Sequence, residues 1–311
     1  MWKVEAVNKD TYNCFQFIVA TMAKFFCCEY HMVMLELWGF KYNIKINGNI
    51  GSRLGLCWAG EIDRRKELLQ RYHGLQLSIT ELDGEIILES INKKLTTGPL
   101  SVYLDSYECY WLPFYKKQHR LHTVILTDKG SDTYSFIDQY SDTSLNSELE
   151  FTFIETNCKQ VVEFNYYPAG IVQDEYLLEI INCINIFERR DTLKNFKAFS
   201  QDMKNELSIS NEITDNDPIA SKLVMYLKNL TDDRINLIEA VGYIESKTGI
   251  SLGNSKELLY AIAQKYDMLR SYIIKCAFTK RNPDKDRISS KIDEIYESEE
   301  NILNCFKRNV T

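Results

Sequence analysis

The pattern of hydrophobic and polar residues predicts helices at the start of the chain. Residues 14–37 favour one helix or two in succession, because apolar residues recur there three or four positions apart. Residues 61–72 predict a shorter amphipathic helix. Residues 80–95 predict a third, which begins at Thr80 and stops before a Gly-Pro pair. The apolar positions of the first segment include Phe15, Ile18, Val19, Met22 and Phe26.

Strands follow these helices. The second and third predicted strands are joined by Lys-Gly-Ser-Asp, which is typical of a hairpin turn. Helices followed by antiparallel strands indicate an α+β domain, which we expect to span residues 1–170. The predicted strands are residues 99–105, 122–128, 133–139, 149–156 and 160–167.

Residues 171–311 predict a second domain made of helices. Apolar residues keep a helical spacing throughout this part, and no run in it is typical of a strand. A polar stretch at 208–217 is the expected break within the domain. The predicted helices are residues 175–187, 192–207, 217–230, 231–247, 254–278 and 285–307.

Composition and charge narrow the classes of function. The chain has 311 residues, of which 45% are hydrophobic and 26% charged, enough for folded cores. A net charge of −7 argues against bulk attraction to nucleic acid. The apolar stretch at 15–34 is interrupted by Lys24 and Glu29, so it predicts neither a membrane span nor a signal peptide. We therefore expect a cytoplasmic protein that binds neither nucleic acid nor membranes.

The cysteines contain one candidate nucleophile, Cys14. Nine cysteines at irregular spacing predict neither a disulfide framework nor a metal site. Cys14 follows Thr11 and Asn13, which can both cap a helix, and precedes the first apolar run. The positive end of a helix favours a thiolate and can bind an oxyanion. The alternative is that Cys14, like most cysteines, is only a small hydrophobic residue of the core.

A histidine and an aspartate lie on neighbouring predicted strands. Only four histidines occur, and His122 opens an apolar strand whose hairpin partner ends near Asp138. A hairpin centred on 129–132 would place them opposite or nearly opposite each other, with Cβ atoms roughly 4.5–5.5 Å apart. A hydrogen bond between them would fix the imidazole tautomer and stabilise the charged ring. The alternative is a core histidine beside an ordinary hairpin aspartate.

The segment 105–120 is rich in aromatic and basic residues. One interpretation is an aromatic loop anchored in the core. The other is a wall that shields an acyl-enzyme from water, with Tyr107 and Trp111 against the substrate and a basic edge for an anionic partner. The basic residues of this edge are Lys116, Lys117, His119 and Arg120. A second basic cluster is expected to be a solvated helix face and comprises Arg64, Arg65, Lys66 and Arg71.

Two segments resemble a known enzyme family. The first is YNCFQFIVATMAKFFCCEYHMVMLELWGF, in which a cysteine opens a helix. The second is GPLSVYLDSYECYWLPFYKKQHRLHTVILTDKGSDTYSFIDQY, which combines a strand, an Asp-x-Tyr and Leu-Pro-aromatic loop, a His-led strand and an Asp-ended strand. Over about residues 10–140, these features resemble the butirosin-type acyltransferase family.

The resemblance implies a papain-like fold, related to that of double-glycine leader peptidases. Members of the family transfer an acyl group from a carrier-protein thioester to an amine in natural-product biosynthesis. Cys14 would be the nucleophile, His122 the base and Asp138 the residue that orients it. The implied partners are an acyl carrier protein and a small amine, and phosphopantetheine would arrive on the carrier, so no other cofactor is expected. Gln139 departs from the proline that related peptidases often have after the aspartate.

The oxyanion donor and the fate of the acyl group stay open. Asn8 lies six residues before Cys14, which is similar to the spacing of the oxyanion-binding glutamine in papain-like enzymes, but it could also be a turn residue. A cysteine peptidase or thioesterase would use the same triad, because its chemistry differs only in the second nucleophile. An interaction protein without catalysis is the remaining alternative.

Overall fold

The structure of the chain is a computed structural model that describes residues 2–55, 62–82, 87–113, 115–140, 147–168, 170, 174–213 and 217–310. Its helices are α1 (Cys14–Phe25), a 3-10 helix (His31–Leu37), α2 (Ile50–Arg53), α3 (Ile62–His73), α4 (Ile87–Leu95), α5 (Phe151–Asn157), α6 (Asp174–Arg189), α7 (Thr192–Asn205), α8 (Ile209–Glu212), α9 (Lys222–Thr248), α10 (Ser255–Phe278) and α11 (Lys285–Val310). Its strands are β1 (Lys41–Tyr42), β2 (Leu54–Gly55), β3 (Leu75–Glu81), β4 (Leu100–Asp105), β5 (Leu121–Lys129), β6 (Thr133–Ile137), β7 (Ser147–Glu150) and β8 (Cys158–Tyr166). The predicted α+β class is confirmed.

The described contacts divide the chain into two compact units. The first comprises Met1–Tyr30 and Lys66–Gly170, and the second His31–Arg65 and Ile171–Thr311. Sequence reasoning expected one boundary near residue 170, whereas this division also assigns the segment after Tyr30 to the second unit. None of the described helices combines the length and hydropathy needed to cross a membrane.

The first unit is built around a six-stranded antiparallel sheet with the strand order β3-β8-β4-β5-β6-β7. β5 is central, and six consecutive residues of it, 122–127, are buried. A strand buried over its whole length must be covered on both faces. Helices α1 and α4 both pack against β5, so the sheet holds the centre of the core.

Local capping sets the start of α1. The Asn13 side chain accepts a hydrogen bond from the Gln16 backbone N–H (3.0 Å), and the Gln16 side chain accepts one from Asn13 N–H (2.8 Å). This reciprocal pair is a capping box, which fixes the first helical residue as Cys14. Of the two predicted arrangements, one helix or two in succession, the structure has the second, since α1 ends at Phe25 and the chain then turns through Cys27, whose φ is +54°.

The prediction of a helix over 80–95 is partly wrong. The structure has β3 up to Glu81 and a helix only from Ile87, while residues 83–86 lie outside the described part of the chain. The missed strand alternates buried and exposed residues only over Leu75–Ser78. It is an edge strand, so its pairing with β8, rather than its local pattern, sets its length.

The predicted strand at 149–156 is also partly wrong. β7 pairs with β6 from Ser147 to Glu150, and α5 begins at the next residue. The partner strand β6 starts at Thr133, which lies opposite Glu150. Residues after Glu150 therefore have no partner in this ladder. The chain turns into a helix instead, which places Ile154 fully within the core of the sheet.

The second unit is helical apart from the short pair β1–β2. The helices predicted at 217–230 and 231–247 are a single helix, α9, which ends where Gly249 adopts the left-handed conformation (φ +70°). Arg234 on α9 is fully buried and pairs with Glu299 on α11 at 2.7 Å. It also donates to the backbone oxygens of Leu37 and Gly39, which ties the segment after Tyr30 to this unit.

The expectation that the basic cluster of α3 is a solvated face is wrong for its first two residues. Arg65 is buried, and Arg64 bonds to the buried carboxylate of Glu179. A long cationic side chain is buried only where its charge is compensated. These two arginines are therefore packed within the helical unit and do not form an exposed basic surface for a partner.

Candidate active site

Cys14 occupies the first helical position of α1 and is half-buried. The first backbone amides of a helix have no intrahelical acceptor and carry partial positive charge. The capping box places this thiol at that end of the helix rather than in its middle. The structure thus agrees with the predicted location of the candidate nucleophile.

His122 and Asp138 are in direct contact. The Nε2 atom of His122 lies 2.9 Å from Oδ2 of Asp138, and the exposed fractions of the two residues are 5% and 0%. Of the two expected placements, opposite or nearly opposite, the strand register excludes the directly opposite one. β6 ends at Ile137, which pairs with Ile125, and the register shifts at a bulge just after Leu126. Asp138 leaves the ladder and reaches His122 diagonally.

The Cys14 thiol lies close enough to His122 to raise the pKa of the imidazole. Since Asp138 occupies Nε2, the nitrogen left for the thiol is Nδ1. Burial lowers the pKa of His122, but the hydrogen bonds with Asp138 and Cys14 and their negative charges raise it by more, to about 9. The ring is therefore an imidazolium at neutral pH.

Trp111 has a role that the sequence did not reveal. Its indole Nε1–H donates a hydrogen bond to Asp138 Oδ2 over 2.5 Å, the same oxygen that contacts His122. The ring packs against Phe136 and Phe153, with centroid distances of 5.0 and 6.0 Å. The sequence analysis placed Trp111 either in a loop anchored in the core or against the substrate, and the substrate contact stays a prediction.

Tyr140 is the second residue that sequence reasoning missed. Its ring centroid lies 5.9 Å from that of His122, and 48% of the residue is exposed. Burial, together with the charges of Cys14 and Asp138, raises the pKa of its hydroxyl. The sequence offered no spacing rule for this contact, because Gln139 and Tyr140 form a turn rather than an extended strand.

Asn8 lies beside the site. Its side-chain amide donates to the backbone oxygen of Gln139 over 3.1 Å, next to Asp138 in the chain. The backbone N–H of Val7 is bonded to the Thr21 hydroxyl at 3.1 Å, which holds this segment along α1. One amide hydrogen of Asn8 is thus used by Gln139, and the role of the other as an oxyanion donor stays a prediction.

Tyr107 belongs to a cluster within the loop between β4 and β5. Its ring stacks on His119 with centroids 4.2 Å apart, and His119 Nδ1 lies 2.8 Å from Asp105 Oδ2. The loop is anchored by Cys109 and Leu112, which are buried in the core of the sheet. The interpretation of an aromatic loop anchored in the core is confirmed only in part, since Trp111 packs against the core whereas Tyr110 and Tyr115 are exposed. Phe114 lies outside the described residues.

The basic edge of this loop combines one ion pair with exposed basic side chains. Lys116 pairs with Glu108 at 2.5 Å. Lys117 and Arg120 are exposed, and the charge of Arg120 acts on the hydroxyl of Tyr140. Positive charge therefore lies close to the open side of the histidine.

The arrangement combines a nucleophile, a proton carrier and an orienting carboxylate. Among the described residues, no group of three or more His, Cys, Asp or Glu side chains is placed to hold a metal ion. A comparison with protein-family models finds no match, and a comparison with curated protein sequences finds none either. The chemistry of the site is consequently inferred from the contacts of Cys14, His122 and Asp138.

Proposed function

We propose that this chain is a cysteine-dependent acyltransferase of papain-like architecture. It takes an acyl group from a carrier-protein thioester, holds it on Cys14 and passes it to a small amine. The observation that carries the proposal is the 2.9 Å contact between His122 and Asp138, together with a Cys14 that opens helix α1 and acts on the pKa of the same imidazole. An activated thiol of this kind is suited to acyl transfer through a covalent intermediate.

The papain-like interpretation is supported by the order of these elements. The nucleophile opens a helix that precedes an antiparallel sheet, the histidine lies on a central strand, and the aspartate follows the next strand. The same combination of a cysteine, a histidine and a residue that orients the ring occurs on several unrelated folds. The geometry therefore supports catalysis through a cysteine nucleophile more directly than it supports membership of a papain-like family.

In the first step, the Cys14 thiolate attacks the thioester carbonyl. A carbon–sulfur bond forms to Cys14, the bond to the pantetheinyl sulfur breaks, and the leaving thiolate takes the proton from the His122 imidazolium. No ATP is consumed, because the acyl group arrives activated. The phosphopantetheine is part of the substrate.

In the second step, an amine attacks the acyl-enzyme. His122, now neutral, accepts the proton that the amine loses, and Cys14 departs as a thiolate beside the new imidazolium. A general base of this type contributes about 10²–10⁴-fold to the rate. Asp138 keeps the ring oriented through both steps.

Aromatic and basic residues around His122 support a bulky, anionic acyl donor. The rings of Trp111 and Tyr140 flank the histidine–aspartate pair and could limit the access of water to the acyl-enzyme. The exposed Lys117 and Arg120 would meet the phosphate of the pantetheine arm or an acidic carrier.

Product analysis tests transfer against hydrolysis. The protein is incubated with an acyl-pantetheine thioester, with and without a panel of primary amines, and the acid and amide products are quantified. An amide that requires Cys14 supports the proposal. If only the free acid forms, the chain is a thioesterase or peptidase. If neither product exceeds that of the Cys14→Ala variant, an interaction protein becomes the better account.

A further inference from the structure

The loop that carries Trp111 is held in one conformation. It connects β4 to β5, and its base is closed by Ser106, whose backbone N–H donates to Arg120 O (2.8 Å) and whose hydroxyl donates to Gln118 O (2.8 Å). Cys109 and Leu112 on either side of Trp111 are buried in the core. The indole is therefore fixed relative to the sheet that carries His122.

The contact of Trp111 with Asp138 is chemically specific. Indole N–H can only donate, and a fully buried carboxylate is stable as an anion only if donors compensate its lost hydration. Oδ2 of Asp138 accepts from Trp111 at 2.5 Å and from His122 at 2.9 Å. The same oxygen of Asp138 thus contacts both the imidazole of His122 and the indole N–H of Trp111, which stays neutral at any pH of interest.

We propose that Trp111 is a positioning residue of the candidate active site, which holds the Asp138 carboxylate as an anion both when His122 is charged and when it is neutral. This inference rests on the proposed roles of His122 and Asp138. A neutral donor stabilises the carboxylate more when no positive charge lies beside it. Trp111 therefore favours the neutral imidazole, which is the form that accepts the amine proton.

The inference predicts the direction of a titration. Removing the indole N–H destabilises the Asp138 carboxylate in both protonation states of His122. The loss is larger when His122 is neutral than when its positive charge forms an ion pair with the carboxylate. The His122 titration should then move upward, by about 0.5–1 pH unit. Among the other titratable groups, Cys14 acts on His122, and Cys109 and Tyr140 interact with Asp138, while Arg120 acts on Tyr140.

NMR titration of isotope-labelled histidine measures this shift without any substrate. The chain has only four histidines, so His122→Gln assigns the signal. Trp111→Phe removes the N–H and keeps an aromatic ring against Phe136 and Phe153. Trp2→Phe is the matched control, since Trp2 packs on the same core and donates to Leu95 O at 2.8 Å.

We expect an upward shift in Trp111→Phe and none in Trp2→Phe. An unchanged or lowered His122 titration in a folded Trp111→Phe protein overturns the inference. If that variant does not fold, benzothienylalanine at position 111 keeps the shape of the indole without its N–H and gives the same test. Failure of the proposed acyl transfer would appear separately, as the absence of acyl adduct in the wild-type protein.

Discussion

His122 and Asp138 share a hydrogen bond of 2.9 Å although they are not partners in the β5–β6 ladder. The ladder ends one residue before Asp138, which leaves this carboxylate free of the strand geometry and able to turn toward the ring. Trp111 holds it there from a different loop. The candidate triad therefore depends on the point where the strand stops.

Asp138→Asn should lower the rate of acyl transfer about 10²–10⁴-fold. An amide cannot stabilise the imidazolium and can select the wrong tautomer of His122. Steady-state kinetics should show the loss mainly in kcat, because Asp138 is fully buried and does not reach the substrate. A loss confined to KM would contradict the orienting role.

The free energy of unfolding should fall between about pH 6.5 and 9 in proportion to the titration of His122. Its folded pKa, about 9, lies above the ordinary histidine pKa of 6.5, so its stabilising contribution is complete below pH 6.5 and is lost as the pH rises through 9. The free energy of unfolding that is lost between pH 6.5 and 9 is on the order of 2–3 kcal/mol. Urea unfolding of the wild type and of His122→Gln measures it, and equal pH slopes for the two proteins would contradict the raised pKa.

The amount of free acid formed alongside amide should rise severalfold in Tyr140→Ala. The half-exposed ring covers the His122 side of the candidate site, and its removal admits water to the acyl-enzyme. Tyr140→Phe keeps the ring and should retain the wild-type ratio of amide to acid. An unchanged ratio in both variants would show that the ring does not exclude water.

Asn13→Ala should cost about 1 kcal/mol of stability and also slow the alkylation of Cys14 by iodoacetamide. The cap fixes the first turn of α1, where Cys14 lies. Asn49→Ala is the matched control, because Asn49 caps α2 through a 3.0 Å bond with Ser52 N–H in the other unit. Asn49→Ala should lower the free energy of unfolding without changing the rate at which Cys14 is alkylated. Equal alkylation rates of Cys14 in both variants would contradict a role of the Asn13 cap in the reactivity of this thiol.

Local chemistry made part of this site predictable. Asn13 and Gln16 form a capping box within four residues, so the helix start at Cys14 follows from the sequence. The strands of His122 and Asp138 follow from apolar runs around a turn. The bulge after Leu126 does not, since it depends on the pairing of two strands rather than on the residues of one.

Long-range packing accounts for what the sequence did not reveal. Trp111 reaches Asp138 across 27 positions of the chain, and no spacing rule anticipates such a contact. The length of β3 depends on β8, which follows it by about 80 residues. Arg65 looked like a surface residue, although the fold buries it. In each case the deciding partner lies on a distant segment.

Intact-mass measurement of the loading step tests the central claim most directly. The wild type, Cys14→Ala and Cys27→Ala are each mixed with an acyl-pantetheine thioester and quenched in acid. Cys27 is exposed and serves as the control for a merely accessible thiol. The account predicts one acyl adduct on the wild type and on Cys27→Ala, and none on Cys14→Ala. An adduct that persists in Cys14→Ala, or none on the wild type across a broad panel of thioesters, would contradict acyl transfer through Cys14.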